Sequence, residues 1–519
     1  MKKRALSKRT SAVRQDGQAL VFALLFTAAA GLMGLLLFNS GMLANAKTRL
    51  QNAADAGAYS AGVLQARDHN FSAYTNRAMV ANQAAVAQIV SIKSYLEDAK
   101  DTYDRMGGAL LDGYKTMFPS VEAPWNIPKS TIGPLISAAK RSFDTASPVM
   151  VKTLDALIKS HELAQQLHHA TTALDMAKVA EEVVKRNDPL ARLSSGTFTA
   201  GPSVLSVAQW SASTTQHRAN DSSAEADRFA DVVVSARTTD RFTRERGSTP
   251  APVWASTVKS TTCPPSVGAA TLIVSFTHFN FFHSGGTLLS GDKKRWLALD
   301  ATTGLGNWMC AYLVPTPWGP VTVFLGSPLA ELGGSGGGLV GASGGYGETT
   351  GYKNNPGETA NYGNALFSVA AVPAWERYSS TGPGSTLDSK GGLQDYYRDM
   401  SNPTKSIPKN QSPEENGGKS PVVIEVERPA TSIRTSSKLL TDASIIKLDD
   451  QLASASMRSV ATAHAYFYRS RINTGFTRTG WARSDDRTEV ASLFNPYWQA
   501  RLIDTSAAHR AISLSDQMK

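Results

Sequence analysis

The sequence predicts an α+β fold in which a single N-terminal transmembrane helix continues into a helical stalk, followed by a helical region and a mixed β-rich region. Three observations predict this architecture. Residues 19–38 are an uncharged apolar run, small and apolar residues then recur at helical spacing to about residue 106, and short strand-like stretches replace that pattern after Pro250. With 519 residues, of which 42% are hydrophobic and 18% charged, the chain is long enough for several domains.

The first two regions are a basic tail, residues 1–18, and a transmembrane helix, residues 19–38. The run "ALVFALLFTAAAGLMGLLLF" has 20 residues, which at a helical rise of about 1.5 Å per residue span the hydrocarbon core of a bilayer. The tail carries six Lys or Arg residues against one Asp, which is half of the formal net charge of +10. The positive-inside rule therefore predicts a cytoplasmic N-terminus, with the bulk of the chain across the membrane. No basic stripe interleaved with aromatic residues follows, so we expect no nucleic-acid partner.

Processing of the N-terminus leaves two alternatives open. Ala44-Asn45-Ala46 resembles the small-residue motif at which a secretory signal is cut, so one alternative is a secreted protein cleaved after Ala46. The apolar run exceeds the usual length of a signal-peptide core, which favours a retained anchor. Gly17 lies between the basic tail and the apolar run, as in prepilins, but Phe22 occupies the position where those chains usually carry glutamate.

Residues 39–117 are predicted to extend the transmembrane helix beyond the membrane. The stretch "LQNAADAGAYSAG", residues 50–62, brings small side chains onto neighbouring faces of this helix, and we predict a helix-interaction surface formed by Ala54, Gly57, Ala58, Ala61 and Gly62. The high helix propensity of alanine explains part of the pattern, but it does not explain the two glycines, which weaken a helix. The sequence leaves open whether the approaching helix belongs to this chain or to another.

A helical region, residues 118–249, comes next, with helical patterns over about 132–185 and 217–237. The β-rich region, residues 250–437, includes "TLIVSFTHFNFFH" and a loop, residues 333–347, that has 9 glycines. Near its end, "VVIEVER" alternates, which predicts a strand with Glu425 and Glu427 on its solvated face.

The C-terminal segment, residues 438–519, contains two features. Residues 458–469, "RSVATAHAYFYR", fit either a strand or a helix. In "FNPYWQARL", the aromatic residues Phe494, Tyr497 and Trp498 are expected to anchor the segment to a core.

No motif in the chain predicts an enzyme, so we expect no catalytic, cofactor-binding or metal-binding residues. "HELAQQLHH", residues 161–169, departs from HExxH because Gln165 stands where the second zinc ligand would be. The G-x-S-x-G matches around Ser335 and Ser343 fall in the glycine-rich loop, with no strand-to-helix context. A membrane-tethered periplasmic hydrolase that uses these serines or histidines is the alternative from a different functional class.

The two cysteines of the chain, Cys263 and Cys310, fit neither a CxxC motif nor a four-ligand zinc site. In an oxidising compartment the two could form one disulfide, and the equal alternative is two buried free thiols. Sequence does not show whether the two Cα atoms come close enough for a disulfide.

The N-terminal sixty residues resemble the Tad, or Flp pilus-assembly, family of TadE/TadG-like membrane proteins. The resemblance is carried by "DGQALV" (16–21), the single span and "RLQNAADAGAYSAG" (49–62), and "FNPYWQARL" (494–502) is similar to the tail of long TadG-related members. It implies a bacterial inner-membrane, single-pass protein that is mostly periplasmic. It also implies a structural, non-enzymatic role in assembling a Flp pilus or a related secretion apparatus.

The same resemblance implies partners but no cofactor and no catalytic residues. The implied partners are the inner membrane and other pilus-assembly or secretion-system proteins, and a homo-oligomer through the N-terminal helix is a further option. Two features depart from the family. Phe22 argues against polymerisation like the small pseudopilin relatives, and the metal motif of a von Willebrand type A domain is missing, since Asp442-Ala443-Ser444 continues into isoleucines.

Overall fold

The structure is a computed structural model of the chain. It describes residues 18–107, 122–194, 210, 214–217, 228–235, 237–244, 246, 256–259, 266–289, 293, 296–328, 339–342, 393, 397–400, 421–433, 456–468 and 491–517.

The described helices and strands follow one another in an α+β order. The helices are α1 (Gln18–Gly107), α2 (Glu122–Asn187), α3 (Arg228–Val233), α4 (Arg241–Arg244) and α5 (Ala507–Gln517). The strands are β1 (Arg192–Leu193), β2 (Thr214–His217), β3 (Ser256–Lys259), β4 (Ser266–Val267), β5 (Ala270–Leu289), β6 (Trp296–Val314), β7 (Val321–Pro328), β8 (Leu339–Ala342), β9 (Tyr397–Met400), β10 (Val422–Pro429), β11 (Ser456–Phe467) and β12 (Trp498–Ile503). The predicted fold class is therefore confirmed.

Helix α1 joins the predicted transmembrane segment and its extension in one helix of 90 residues. Among the described residues it is the one helix that is long and apolar enough to cross a membrane. Its large apolar side chains from Leu20 to Phe38 are exposed, whereas the first buried side chain is Ala46, followed by Leu50. We call the exposed stretch up to Phe38 the apolar rod. About 12 Å separates its end from Ala46, where the helix becomes the central element of a folded core.

Helix α2 packs antiparallel along the buried part of α1. The contacts show the direction, because residues further along α1 meet residues earlier in α2. Val184 lies against Gly57, His168 binds Asp68, Gln165 binds Asn76, and Asp144 binds Lys93.

The first sheet has four antiparallel strands in the order β1-β10-β11-β12. Its apolar face packs on α1 and α2, with Val422, Ile424 and Val426 of β10 and Ala461 and Ala463 of β11 buried in the same cluster as Leu50 and Val184. The other face meets α5, where Ser513 donates a hydrogen bond to Glu425. Residues 458–467 are thus in a strand, which decides the strand-or-helix alternative.

The second sheet contains a long antiparallel hairpin. β5 pairs with β6, β7 pairs with the distal part of β6, and β3, β4 and β8 complete the sheet. Among the described residues, those of the hairpin that belong to the core around α1 lie at its near end: Leu289, Trp296 and Ala298. At about 3.3 Å per residue, the 19 residues of β6 reach roughly 60 Å from that end.

Two sequence-based expectations are wrong. Glu425 and Glu427 are buried rather than solvated. Helix α5 covers Glu425, Arg192 donates to Glu427, and the side chain of Arg458 reaches both carboxylates. Strand alternation reports which side a residue faces, not what covers that side. In addition, the helical pattern predicted over 217–237 is wrong at its start, because His217 ends strand β2, which pairs with β9, whereas α3 lies within the predicted range. Residues 218–227 lie outside the described residues.

The predicted regions are interleaved in space. β10 lies in the region 250–437 and β11 in the segment 438–519, yet they are paired along their lengths. Helix α1 contacts both α2 and this sheet, so the four regions after the span share one core.

Candidate functional site

The predicted interaction surface of α1 is buried inside the protein. Ala54, Ala58 and Ala61 have no exposed surface, and the two glycines are also buried. A Cβ atom added to Gly57 would lie 2.9 Å from Val184 Cγ2 of α2 and 3.6 Å from Ile424 Cγ2 of β10. One added to Gly62 would lie 3.1 Å from Ala463 Cβ of β11. The helix that approaches this surface therefore belongs to the same chain, and a strand approaches beside it.

Strand β11 meets the helix with its own small residues. Ala461, Ala463 and Ala465 alternate along the strand, and all three are buried. Alternation puts them on one face of the sheet, and Ala463 lies against Gly62. Small side chains on both elements let the helix axis lie close to the strand, which explains why glycine is tolerated here within a long helix.

A buried polar layer lies nearly two helical turns beyond the small-residue surface, around Asp68. Asp68 is nearly inaccessible, and its two carboxylate oxygens are 2.7 Å from His168 Nδ1 and His169 Nδ1 of α2. Burial by itself raises the pKa of the Asp68 carboxyl, but the hydrogen bonds with the two histidines outweigh it and hold the pKa well below its usual range. The layer therefore ties α1 to α2 through an ionised, buried carboxylate.

His69, next in the chain, lies in an aromatic cage. Its ring centroid is 4.9 Å from that of Trp210 and 4.4 Å from that of Trp498. Neither ring nitrogen has a hydrogen-bond partner in the part of the chain that the structure describes. Burial lowers the pKa of His69 to about 3, with Asp68 opposing that effect and Arg398 and His169 adding to it. His69 is thus held neutral.

The same helix holds the C-terminal aromatic motif. The Asn70 side-chain amide donates to the Trp498 carbonyl at 2.9 Å and accepts from the Trp498 amide at 3.0 Å. Two turns further, Arg77 Nε donates to the Phe494 carbonyl at 2.7 Å. Phe494 and Trp498 are both buried, so the prediction that this motif anchors the C-terminal segment is confirmed.

The histidine-rich stretch of α2 serves packing in the described structure. Gln165, at the position of the missing zinc ligand, donates to the side chains of Thr75 and Asn76. His168 stacks on Phe71 with the ring centroids 4.4 Å apart. Among the residues that the structure describes, no group of three or more His, Cys, Asp or Glu side chains is arranged to hold a metal ion.

Several predicted positions lie outside the described residues. These are Cys263 and the loop serines Ser335 and Ser343. Cys310 lies in β6, where its backbone pairs with Leu325 and Ser275. The disulfide between Cys263 and Cys310 therefore stays a prediction.

Sequence reasoning missed the Asp68 layer. His168 and His169 end the stretch "HELAQQLHH", but nothing in the sequence connects the pair with a carboxylate 100 positions earlier. Only the antiparallel docking of α2 on α1 brings these groups together.

The comparison with known protein families matches residues 17–68 to the model described as "Putative Flp pilus-assembly TadE/G-like". The N-terminal segment is TadE/G-like. The match begins just before the span and ends at Asp68. The TadE/G-like segment therefore contains the apolar rod, the whole small-residue surface and the carboxylate of the polar layer, and it confirms the resemblance seen in the sequence. No curated protein and no solved structure matches the chain.

Proposed function

We propose that this protein is a non-enzymatic, membrane-anchored assembly component of a Flp-type pilus or a related secretion apparatus. The observation that carries the proposal is the TadE/G-like match over residues 17–68. That segment is at once the membrane-spanning candidate and the central helix of the core. Membrane anchoring and folding of the core thus both depend on helix α1.

The continuity of α1 suggests how such an anchor works. No loop separates the exposed apolar rod from the first buried residue, Ala46. A continuous helix resists bending far more than a loop does. The folded region would therefore be held at a fixed height and angle above the membrane, as a scaffold for other pilus components requires.

The proposed topology places the N-terminus in the cytoplasm and the folded bulk in the periplasm, with the span in the inner membrane. The basic tail before the span supports this orientation. Fusing a reporter after Lys519 tests it. A phosphatase that is active only in the periplasm should be active there, and a fluorescent protein that matures only in the cytoplasm should stay dark. The reverse pattern would refute the topology.

The proposed partners are other pilus-assembly or secretion-system proteins, with no nucleic acid among them. A homo-oligomer through the N-terminal helix stays part of the proposal, but the small-residue surface at residues 54–62 is filled by α2 and the first sheet. The contact would then use the spanning residues, where Gly31 and Gly34 have open space around them.

A deletion strain tests the anchoring function. The full chain should restore pili to the deletion strain, and so should a variant whose residues 19–38 are replaced by an unrelated apolar span of equal length. A variant secreted into the periplasm without the tail and span should fail, although it carries the same folded region. Restored piliation by the secreted variant would contradict an anchoring role.

The non-enzymatic part of the proposal has its own test. The purified full chain should not react with a fluorophosphonate probe and should contain no stoichiometric zinc. Labelling of a serine in the glycine-rich loop, lost on its replacement by alanine, would favour the hydrolase alternative instead.

A further inference from the structure

A polar pocket opens at the part of the folded region that lies nearest to the membrane along α1. It has a volume of about 350 Å³, within the range of small-ligand pockets. Its lining comes from the start of the buried part of α1, the start of β11 and the beginning of α5: Lys47, Gln51, Arg458, Ser459, Val460, Asp504, Thr505, Arg510 and Ser513.

Hydrogen bonds make the wall between α1 and β11 a built surface. Lys47 Nζ donates to the Arg458 carbonyl, and Ser459 Oγ donates to Gln51 Oε1. Elsewhere in the lining, Arg510 Nε donates to the Thr505 carbonyl at 2.8 Å. These bonds hold the Lys47 ammonium and the Arg510 guanidinium in defined positions.

The charge of the pocket is unbalanced toward cations. Arg458 lies 3.6 Å from Glu425 Oε1 and 3.5 Å from Glu427 Oε2, so buried carboxylates compensate its charge. Within the described part of the chain, neither Lys47 nor Arg510 is within salt-bridge distance of a carboxylate. Asp504 is the single carboxylate in the lining. Partial burial also lowers the pKa of the Lys47 ammonium, a shift that a bound anion would oppose.

The position of the pocket relative to the membrane suggests which anion it meets. Lys47 follows Phe38, the last residue of the apolar run, by nine helical positions, or about 14 Å. The headgroup layer extends about 5 to 7 Å beyond the hydrocarbon core on each side. The long side chains of Lys47 and Arg510 can bridge much of the remaining gap, and this holds for either orientation of the chain.

We propose that this pocket binds an anionic phosphodiester, with the Lys47 ammonium and the Arg510 guanidinium as its ligands. The phosphodiester can come from an anionic phospholipid headgroup or from a soluble glycerophosphodiester. The proposal does not depend on the pilus function, because it rests on the pocket and its height above the span.

Lipid binding to the full chain in mild detergent provides the test, with native mass spectrometry as the readout and phosphatidylglycerol as the probe. Lys47→Gln and Arg510→Gln should each weaken binding about fivefold, the effect of one cation near a lipid headgroup. Arg49→Gln is the matched control, since Arg49 is exposed on the same helix two residues away and does not line the pocket. It should change the affinity less than twofold.

A variant that binds the lipid more tightly excludes misfolding as the explanation of the results. Asp504→Asn removes the one carboxylate of the lining and should strengthen phosphatidylglycerol binding several-fold, which a damaged fold would not do. Equal losses for Lys47→Gln and Arg49→Gln would overturn the proposal, because diffuse attraction would then explain binding. Unchanged affinity in all four variants would overturn it too.

A competition experiment separates the two sources of the phosphodiester. Glycerophosphoglycerol is the headgroup of phosphatidylglycerol without acyl chains. If it displaces the lipid and its own binding is weakened by Lys47→Gln, the pocket binds the soluble group. If it does not compete while the lipid binds with the expected dependence on Lys47, the ligand is the membrane lipid.

Discussion

At the scale of single residues, the structure shows that residues of the same type have different environments. Gly57 and Gly34 are both glycines of α1, yet Gly57 is enclosed by α2 and the first sheet, whereas Gly34 has nothing within 4 Å. His69 and His161 are both histidines on long helices, but only His69 is fully buried. The consequences of substitution should differ accordingly.

Gly57→Leu should destabilise the folded region by about 1 to 3 kcal/mol or more, the usual cost of overpacking a core. The added side chain would collide with Val184, whose Cγ2 lies within 2.9 Å of the new Cβ position. Thermal unfolding of the full chain in detergent measures the effect. Gly34→Leu is the control and should leave the melting temperature unchanged. Equal melting temperatures for both variants would mean that α2 does not pack on Gly57.

Acid should destabilise the protein through His69. In the unfolded chain a histidine has a pKa of about 6.5, and burial lowers the pKa of folded His69 to about 3. Between these values the unfolded state binds one more proton, so stability falls as the pH decreases below about 6.5, by up to about 1.4 kcal/mol per pH unit.

Unfolding free energies measured from pH 7 to pH 4 check this expectation. His69→Leu should flatten the acid-dependent slope by about one proton, whatever it does to the absolute stability. His161→Leu, at a partly exposed position of α2, should keep the slope of the parent. A slope that is the same with and without His69 would contradict its burial in neutral form.

At the scale of elements, the two ends of the long β5–β6 hairpin differ in how deeply their described residues are buried. Trp296 at that end is 1% exposed and donates from Nε1 to Gln83 of α1 at 3.2 Å. At the other end, in the turn between β6 and β7, Trp318 is 96% exposed. Trp296 directly follows Lys293, Lys294 and Arg295, whereas the residues around Trp318 are uncharged. Local polarity would therefore favour burial of Trp318, and docking on α1 decides the opposite.

Trp296→Ala should therefore cost about 3 to 5 kcal/mol of stability, whereas Trp318→Ala should change it by less than about 0.5 kcal/mol. Melting temperatures of the two variants provide the comparison. A large loss for Trp318→Ala would show that the distal turn is packed in solution.

At the scale of the whole molecule, helix α1 serves both membrane anchoring and folding, but different residues of the helix serve each role. The exposed rod ends before Ala46, and the buried residues that start there and at Leu50 belong to the core. The span should thus be dispensable for folding, while the next twenty residues should not be.

A fragment of residues 45–519 should keep cooperative thermal unfolding and the near-ultraviolet circular dichroism of buried tryptophans. A fragment of residues 65–519 should lose both, because it lacks Leu50, Ala54, Ala58 and Ala61, which have no exposed surface. Cooperative unfolding of the shorter fragment would contradict the central position of α1.

The sequence by itself determined the features that depend on local pattern. Three such features can be seen in neighbouring residues: the apolar run of residues 19–38, the helical spacing beyond it and the TadE/G-like motif. The close packing of another element against Gly57 and Gly62 also follows from the sequence, because glycine in a long helix needs a packing reason. Tertiary structure alone decided which elements pack against these glycines and which carboxylate binds His168 and His169. It also decided that Glu425 and Glu427 are buried. The physical reason is that these contacts join residues far apart in the chain, 100 positions for Asp68 and His168 and 88 for Glu425 and Ser513. Side-chain periodicity states which way a residue faces but not what the rest of the chain brings against it.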